Sequence, residues 1–268
     1  MIGKAKAMLI DVHAHYDNPK YDPDREETIK SAKIKGGVDL IVNSGSNLES
    51  SKASLDLADR HDFIYATIGI HPHDAAMAPD GALDALADLL KHEKALAVGE
   101  IGLDFHYGFS DRDSQRLWFA KQMGLAADMR YPVVIHDRET RGECLEMAKR
   151  HEGAVKGVFH CYAGDLEMAH ELAGLGYMMS FGGMVTFSGA KTPREVAKGL
   201  PLEYILLETD CPYLAPSPHR GKRNDSGHLP LIAAAIAELK NVDISKVMEK
   251  TGENAIRCFG ILPNVSDV

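Results

Sequence analysis

The chain has few cysteines and no close pair of them. Its four cysteines are Cys144, Cys161, Cys211 and Cys258, and none forms a CxxC motif. Neither a zinc ribbon nor a redox dithiol is therefore indicated. Sparse, unpaired cysteine is typical of a reduced protein, so we expect a cytoplasmic one.

Long apolar runs are also absent. No stretch approaches the ~18 consecutive apolar residues that a membrane-spanning helix needs. Near the N-terminus, Asp11 interrupts the apolar run that begins at Met8, so we expect no signal peptide. The sequence therefore predicts no membrane partner.

Positive charge is scarce for a protein of this size. The 268 residues include 30 Lys and Arg against 39 Asp and Glu, and the formal net charge is −9. This balance argues against coating nucleic acid through a broad basic face, which needs clustered Lys and Arg. A nuclease stays compatible with it, because bound divalent cations can supply positive charge at one point.

The chain does contain a recurring unit, in which a short apolar run precedes an amphipathic segment. The predicted strands are Met8–Val12, Val38–Asn43, Phe63–Ile70, Ala95–Ile101, Pro132–His136, Gly157–Cys161, Tyr177–Phe181 and Tyr204–Leu207. The predicted helices are Arg25–Gly36, Leu48–Arg60, Gly81–His92, Asp113–Met129, Thr140–His151, Asp165–Gly174, Pro193–Lys198, Leu229–Lys240 and Ile244–Phe259. The runs are continuous, as in strands buried on both faces.

Eight alternating units leave two α/β architectures, a closed barrel and a doubly wound open sheet. The chain length and the count of eight favour the barrel. No GxGxxG motif follows the first predicted strand, which weakens the case for a dinucleotide-binding sheet. We therefore predict one (β/α)₈ TIM barrel of the metal-dependent hydrolase type, a single domain over residues 1–268.

Active sites of such barrels lie at the C-terminal ends of the strands. Imidazoles or carboxylates follow six of the eight predicted strands: His13 and His15, His71 and His73, Glu100, His136, His160, and Asp210. His13 and His15 are two residues apart, so on a strand their side chains point the same way and can bind one cation.

Each of these residues has a simpler interpretation when it is taken alone. An HxH pair can be two loop histidines, and Glu100 could form a salt bridge with a neighbouring Arg or Lys. His136 and His160 could be hydrogen-bonded core histidines. Their joint occurrence favours two sites of mixed imidazole and carboxylate ligands, suited to Zn, Mn, Ni or Fe, with Mg possible. The six ligands of this hypothesis are His13, His15, Glu100, His136, His160 and Asp210.

Such a pair of sites suggests a reaction. Two cations ~3.5–4 Å apart can activate a water and stabilise both oxygens of a phosphodiester displacement. No Lys ends the fourth predicted strand, so Glu100 would stand where a lysine carbamate bridges the metals in amidohydrolases. The basic segment 219–224 follows the eighth strand and is either solvated or able to bind phosphate through its arginines. His71 and His73 could likewise donate to a phosphate or shape the turn around Pro72.

Taken together, these segments resemble the TatD family of metal-dependent deoxyribonucleases. The matching segments are Asp11–His15, Gly69–His73, Gly99–Asp104, Pro132–His136, Phe159–Gly164, Glu208–Leu214 and Arg220–Asn224. They occur in the family's order and cover nearly the whole chain. The resemblance implies a TIM barrel, two divalent cations (Zn, Mg or Mn), and hydrolysis of DNA phosphodiester bonds, with 3′-5′ exonuclease action on single-stranded ends.

The resemblance also implies a role for each site residue. One metal would be held by His13, His15, Glu100 and Asp210, and the other by Glu100, His136 and His160. Asp210 and Glu100 would be catalytic, with Asp210 acting on the water. The substrate-binding residues would be His71, Arg220 and Glu208, of which Glu208 would act from behind the metal ligands.

One segment departs from the family pattern. After Asn224 the family usually carries Glu-Pro and an aromatic residue, whereas this chain reads Asp225-Ser226-Gly227-His228-Leu229-Pro230. The departure motivates one alternative to a DNase, a two-metal hydrolase of a small ester, lactone or amide. A second alternative, of another class, is a non-catalytic partner in a quality-control complex. The intact ligand set argues against the second. The sequence leaves the oligomeric state open, and a monomer is compatible with it.

Overall fold

The computed structural model describes residues 7–261, and its central feature is a sheet of eight parallel strands that pair in chain order. The strands are β1 (Ile10–Ala14), β2 (Leu40–Ser44), β3 (Ile64–Ile68), β4 (Ala95–Asp104), β5 (Val133–Arg138), β6 (Gly157–Phe159), β7 (Met178–Phe181) and β8 (Ile205–Leu207). Just past β8, Cys211 pairs with Ala14, and the Asp210 amide donates to the His13 carbonyl at 2.9 Å. The sheet therefore returns to β1, and the predicted barrel is confirmed.

Nine helices follow the strands in the described part of the chain. They are α1 (Arg25–Ile34), α2 (Leu48–Arg60), α3 (Ala82–Leu89), α4 (Arg112–Met129), α5 (Glu143–Arg150), α6 (Leu166–Gly174), α7 (Lys191–Gly199), α8 (Leu229–Lys240) and α9 (Ile244–Phe259). Across residues 7–261, none of these helices has both the length and the apolar character to cross a bilayer. The prediction of one domain over 1–268 includes ends outside the described residues and stays a prediction.

The strands form where the sequence is continuously apolar, because both faces of a barrel strand are covered. All ten residues of β4 are buried. Several helices begin at a short polar side chain that accepts a backbone amide of the first turn, as Asn47 does for α2 and Asp165 does for α6. These polar starts follow the strand ends, so the turn chemistry and the apolar runs together specify the alternation.

Two strand boundaries differ from the prediction in a way that matters for the site. The sequence placed the end of β1 at Val12 and that of β4 at Ile101, whereas the strands continue to Ala14 and Asp104. The prediction for β1 stopped before the ligand residue His13, and that for β4 stopped before Gly102, since each interrupts the apolar run.

Both strands also pair irregularly at those residues. The register shifts between Asp11 and Ala14 in β1, and between Val98 and Ile101 in β4. An extra residue of this kind re-aims side chains, and here it acts at His13 and Glu100. At β6 the prediction was too long, since the strand ends at Phe159.

Candidate metal centre

Four side chains meet at the C-terminal end of β1, and we call them the first cluster. His13 Nε2 and His15 Nε2 lie 3.0 Å apart. Glu100 Oε2 is 3.3 Å from His13 Nε2 and 3.7 Å from His15 Nε2. Asp210 Oδ1 is 3.9 Å and 3.6 Å from the same two nitrogens. The cluster therefore joins the ends of β1, β4 and β8 in one place.

The spacing of the first cluster fits a metal ion. Ligand atoms with ~2.0–2.1 Å bonds to a tetrahedral zinc lie roughly 3.3 Å from one another. The separations here, from 3.0 to 3.9 Å, bracket that value. Two imidazole nitrogens and two carboxylate oxygens at this distance offer more lone pairs than there are protons to share. A bound cation would accept the remaining lone pairs.

Ser44, at the end of β2, orients both histidines of the first cluster. His15 Nδ1 lies 3.0 Å from the Ser44 carbonyl, which can only accept, so this nitrogen carries a proton and Nε2 faces the cluster as a ligand. Ser44 Oγ lies 3.1 Å from His13 Nδ1. Hydrogen bonds of this kind set the tautomer and the ring orientation of metal-binding histidines.

The electrostatics of the first cluster favour positive charge. Burial lowers the pKa of His15, but its hydrogen bond to Asp210 and the charge of Glu100 outweigh burial and raise this pKa to about 9. Burial raises the pKa of Glu100, yet His160, His71 and His13 together hold this pKa well below its usual range. The same negative field would stabilise a divalent cation.

A second cluster forms around the other oxygen of Glu100. Glu100 Oε1 is 2.8 Å from His160 Nε2, 2.9 Å from His136 Nδ1 and 3.2 Å from His71 Nε2. His136 Nδ1 and His160 Nε2 are 3.2 Å apart. Glu100 is only 3% exposed. One buried carboxylate thus offers one oxygen to each cluster.

His71 lies within the second cluster, whereas the sequence had suggested a contact with substrate phosphate. Burial lowers the pKa of His71 to about 4, against the opposing charge of Glu100. The imidazole is then neutral near pH 7. Its Nδ1 accepts the His73 backbone amide at 3.1 Å, so its proton lies on Nε2 and is donated to Glu100 Oε1. His71 therefore orients Glu100 as a hydrogen-bond donor, a contact that the motif around Pro72 did not reveal.

Asp104, the last residue of β4, positions His136. Its Oδ2 lies 3.0 Å from His136 Nε2 and 2.8 Å from His73 Nε2, while its Oδ1 accepts the backbone amides of His106 and Tyr107. The carboxylate thereby turns His136 Nδ1 towards Glu100. The sequence placed Asp104 in the family segment Gly99–Asp104 but indicated no role for it, because its partner His136 lies 32 residues away in the chain.

Glu208 is placed behind the second cluster. It is fully buried, its Oε1 accepts the Cys161 amide at 2.6 Å, and its Oε2 accepts the Ser180 hydroxyl at 2.5 Å. Oε2 also lies 3.8 Å from His160 Nδ1. Both oxygens are occupied away from solvent, so this position suits a residue that holds the His160 segment rather than one that touches substrate.

The basic segment after β8 does not join the clusters. Arg220 places its guanidinium 4.6 Å from the centre of the Phe187 ring. Arg223 forms two 2.7 Å contacts with the carboxylate of Asp24. Arg223 thus joins the loop to the start of α1. Arg220, whose guanidinium packs on a ring, is the one of the two whose placement is compatible with a role near substrate.

The segment that departs from the family pattern is tied to β1 by hydrogen bonds. The Ser226 and Thr209 hydroxyls each donate to Asp11 Oδ2 at 2.6 Å. The Asn224 side chain donates to the carbonyls of Thr209 and Tyr213 at 2.8 Å. These bonds hold the loop next to the first cluster through Asp11, two residues before His13.

Comparisons with known proteins show the family to which the chain belongs. The family model described as TatD related DNase matches residues 10–260. The chain is similar to the uncharacterized metal-dependent hydrolase YabD of Bacillus subtilis, with 41% identity over 95% of this chain and 100% of the relative. It is also similar to the Klebsiella pneumoniae protein named 3′-5′ ssDNA/RNA exonuclease TatD, with 29% identity over 94% and 98% of the two chains.

A solved structure shares the same fold. The TatD homolog YjjV of Escherichia coli superposes with a TM-score of 0.89 and 29% identity, covering 96% of this chain and 99% of the other.

Proposed function

Because this chain belongs to the TatD related DNase family of metal-dependent hydrolases, we propose that it cleaves phosphodiester bonds of DNA, as a 3′-5′ exonuclease with two divalent cations. The observation that carries the proposal is Glu100, whose two oxygens belong to two adjacent ligand clusters. A carboxylate shared in this way matches the two-cation arrangement used for phosphodiester displacement. The Klebsiella relative is named as an exonuclease of single-stranded DNA and RNA, which supports the choice of a single-stranded substrate.

Each cation would be held by the ligands of one cluster. The first would be held by His13, His15, Glu100 and Asp210, and the second by Glu100, His136 and His160. Bound there, divalent cations would increase the acidity of a water and neutralise charge on the phosphate.

Asp210 is the residue suited to take the proton from that water. Its side chain is 15% exposed, against 4% for Glu100, so it is the carboxylate of the first cluster that an entering water can reach. Burial raises the pKa of Asp210, but its hydrogen bond to His15 and the neighbouring imidazoles lower it overall. Asp210 therefore stays ionised and can accept a proton.

The test uses purified protein and a single-stranded oligonucleotide labelled at its 5′ end. We expect a ladder of progressively shorter labelled products, its loss in EDTA, and its return with Mg²⁺, Mn²⁺ or Zn²⁺. With the label at the 3′ end, labelled mononucleotide should appear first. Failure to cleave with any of these metals would overturn the proposal, and 3′-labelled fragments of intermediate length would overturn the exonuclease mode.

A second candidate is hydrolysis of a small ester, lactone or amide by the same residues. The loop after Asn224 favours it, because Asp225 accepts the Gly227 amide at 2.8 Å and caps its own turn. A panel of chromogenic esters, lactones, amides and phosphodiesters separates the two candidates. We expect kcat/KM to favour phosphodiesters, and a preference for another class would support the second candidate.

We also propose a cytoplasmic location. All four cysteines are free, and Cys144, Cys211 and Cys258 are buried. Free thiols suit a reducing compartment. Fractionation of the source cells, with activity followed as the marker, tests this placement.

A further inference from the structure

The exposed aromatic side chains of the described residues concentrate at one end of the barrel. Tyr107, Phe109 and Tyr213 are 42%, 67% and 45% exposed. Tyr107 and Phe109 lie in the loop between β4 and α4, and Tyr213 follows β8, so all three lie at the end that holds the metal ligands. Single exposed apolar residues need no explanation, but a group beside a candidate active site indicates a binding surface.

Two of these rings continue directly from the second cluster. The Phe109 ring centre is 4.8 Å from that of His73 and 5.4 Å from that of Tyr107, with a 30° angle between the Phe109 and Tyr107 planes. His73 shares Asp104 with the candidate ligand His136. A short, unbroken path of side chains thus leads from the ligands to the exposed face of Phe109.

A positive charge accompanies these rings. The guanidinium of Arg138, an exposed residue at the end of β5, lies 4.8 Å from the Tyr107 ring centre. We call Tyr107, Phe109 and Arg138 the aromatic rim. Arginine beside exposed rings is a combination found where single-stranded nucleic acid binds, because the rings stack on bases and the cation attracts the backbone.

The loop that carries the rim is held in place on both sides. Asp104 Oδ1 accepts the amides of His106 and Tyr107 at 3.0 and 3.1 Å. The buried Ser110 hydroxyl donates to the His73 carbonyl at 2.7 Å and accepts the Ala76 amide at 3.0 Å. The rings are therefore presented by a braced segment, which lowers the entropy that binding must overcome.

We propose that the aromatic rim binds a nucleobase of single-stranded DNA next to the bond that is cleaved, an inference that rests on the proposed nuclease function. The chain carries a net charge of −9, so a broad basic surface is not available to hold the strand. Stacking supplies binding that tolerates any base and needs little charge. Base stacking on the rim thus supplies binding that this acidic chain cannot obtain from a broad basic surface.

The test compares single-stranded oligonucleotides that differ only in an abasic residue, placed in turn at each of the last few 3′ positions. The wild-type enzyme should lose about 5- to 100-fold in kcat/KM at one of these positions, the range expected for one stacked base. Phe109→Ala should cleave the intact and abasic substrates at the same low rate. Phe109→Trp should restore the dependence on the base, because it keeps a stacking face.

The matched control is Ile34→Ala. Ile34 is 80% exposed and ends α1, at the end of the barrel opposite the ligands. Its replacement by alanine removes exposed apolar surface without changing the rim. This variant should keep the wild-type dependence on the base.

Three other results would each have a distinct meaning. If Phe109→Ala loses the same factor on intact and abasic substrates, the ring has only a structural role and the rim proposal is wrong. If the wild type cleaves DNA with no dependence on any base, the rim is wrong while the nuclease proposal survives. If no DNA is cleaved with any metal, the nuclease proposal fails and the rim inference fails with it.

Discussion

Glu100 and Phe109 lie nine positions apart, one inside β4 and the other in the loop that follows it, yet they are 3% and 67% exposed. Around Glu100, each carboxylate oxygen has at least one imidazole nitrogen within 3.3 Å. Around Phe109, the ring contacts other rings and leaves most of its surface to solvent. The charged groups of the ligand clusters are thus paired within the protein, whereas the rim leaves apolar surface exposed for a substrate.

This difference has a physical reason. Buried charges are tolerated only when they are paired or bind a metal, so the cluster carboxylates need imidazoles or cations beside them. A base-binding ring gains by the opposite arrangement, because its free energy of binding comes from surface that water covers until the substrate arrives. Substitutions in the clusters should therefore affect every substrate, and substitutions in the rim only substrates that carry a base.

The largest effect is expected from Glu100→Gln. The amide keeps the size of the side chain but removes the charge that both clusters share. Divalent metal content should fall, and kcat/KM on any phosphodiester should fall by roughly 10³-fold or more. Elemental analysis after gel filtration and steady-state kinetics measure both. Glu253→Gln, an exposed change on α9, is the control, and normal metal content in Glu100→Gln would contradict the shared site.

Asp210→Asn should act mainly on the chemical step. The amide can still occupy the space near His15 Nε2 but can no longer take a proton. We expect kcat to fall by about 10²- to 10⁴-fold with a smaller change in KM, and at most one of the two cations to be lost. A variant with wild-type kcat would exclude Asp210 as the proton acceptor.

Asp104→Asn should show how the clusters depend on their supports. Without the carboxylate, His136 loses the charged partner of its Nε2, and metal affinity should fall by about 10- to 100-fold. Competition with a chelator measures the affinity, and excess metal should restore activity. Asp62→Asn, on an exposed loop, is the control. Unchanged affinity would mean that Glu100 alone orients His136.

The smallest effect should come from Ser226→Ala. The change leaves Asp11 Oδ2 with one hydroxyl donor in place of two. The free energy of unfolding should fall by about 1–2 kcal/mol, since a buried acceptor loses a hydrogen bond. Urea denaturation measures it, and Ser188→Ala, an exposed change, should have little effect. No loss of stability would show that the Ser226 hydroxyl is not needed to hold the loop.

Much of the fold was predictable because it depends on local patterns. Helices α2, α8 and α9 begin and end at the residues predicted for them, where the apolar spacing is regular. The ends of β1, β4 and β6 were less predictable. His13 and Gly102 interrupt an apolar run and were left outside the predicted strands, although the strands continue through them.

The chemical groups that reach the end of the barrel follow from the order of residues along the chain. Parallel strands in a closed sheet bring all their C-terminal ends together, so the histidines and carboxylates that follow them were bound to be neighbours. How these groups contact one another depends on the folded chain. It turned the two oxygens of Glu100 to different clusters, brought His71 into one of them, joined Asp104 to His136, and left Phe109 exposed. Those outcomes depend on register shifts and on contacts between residues far apart in the chain, and no local pattern records them.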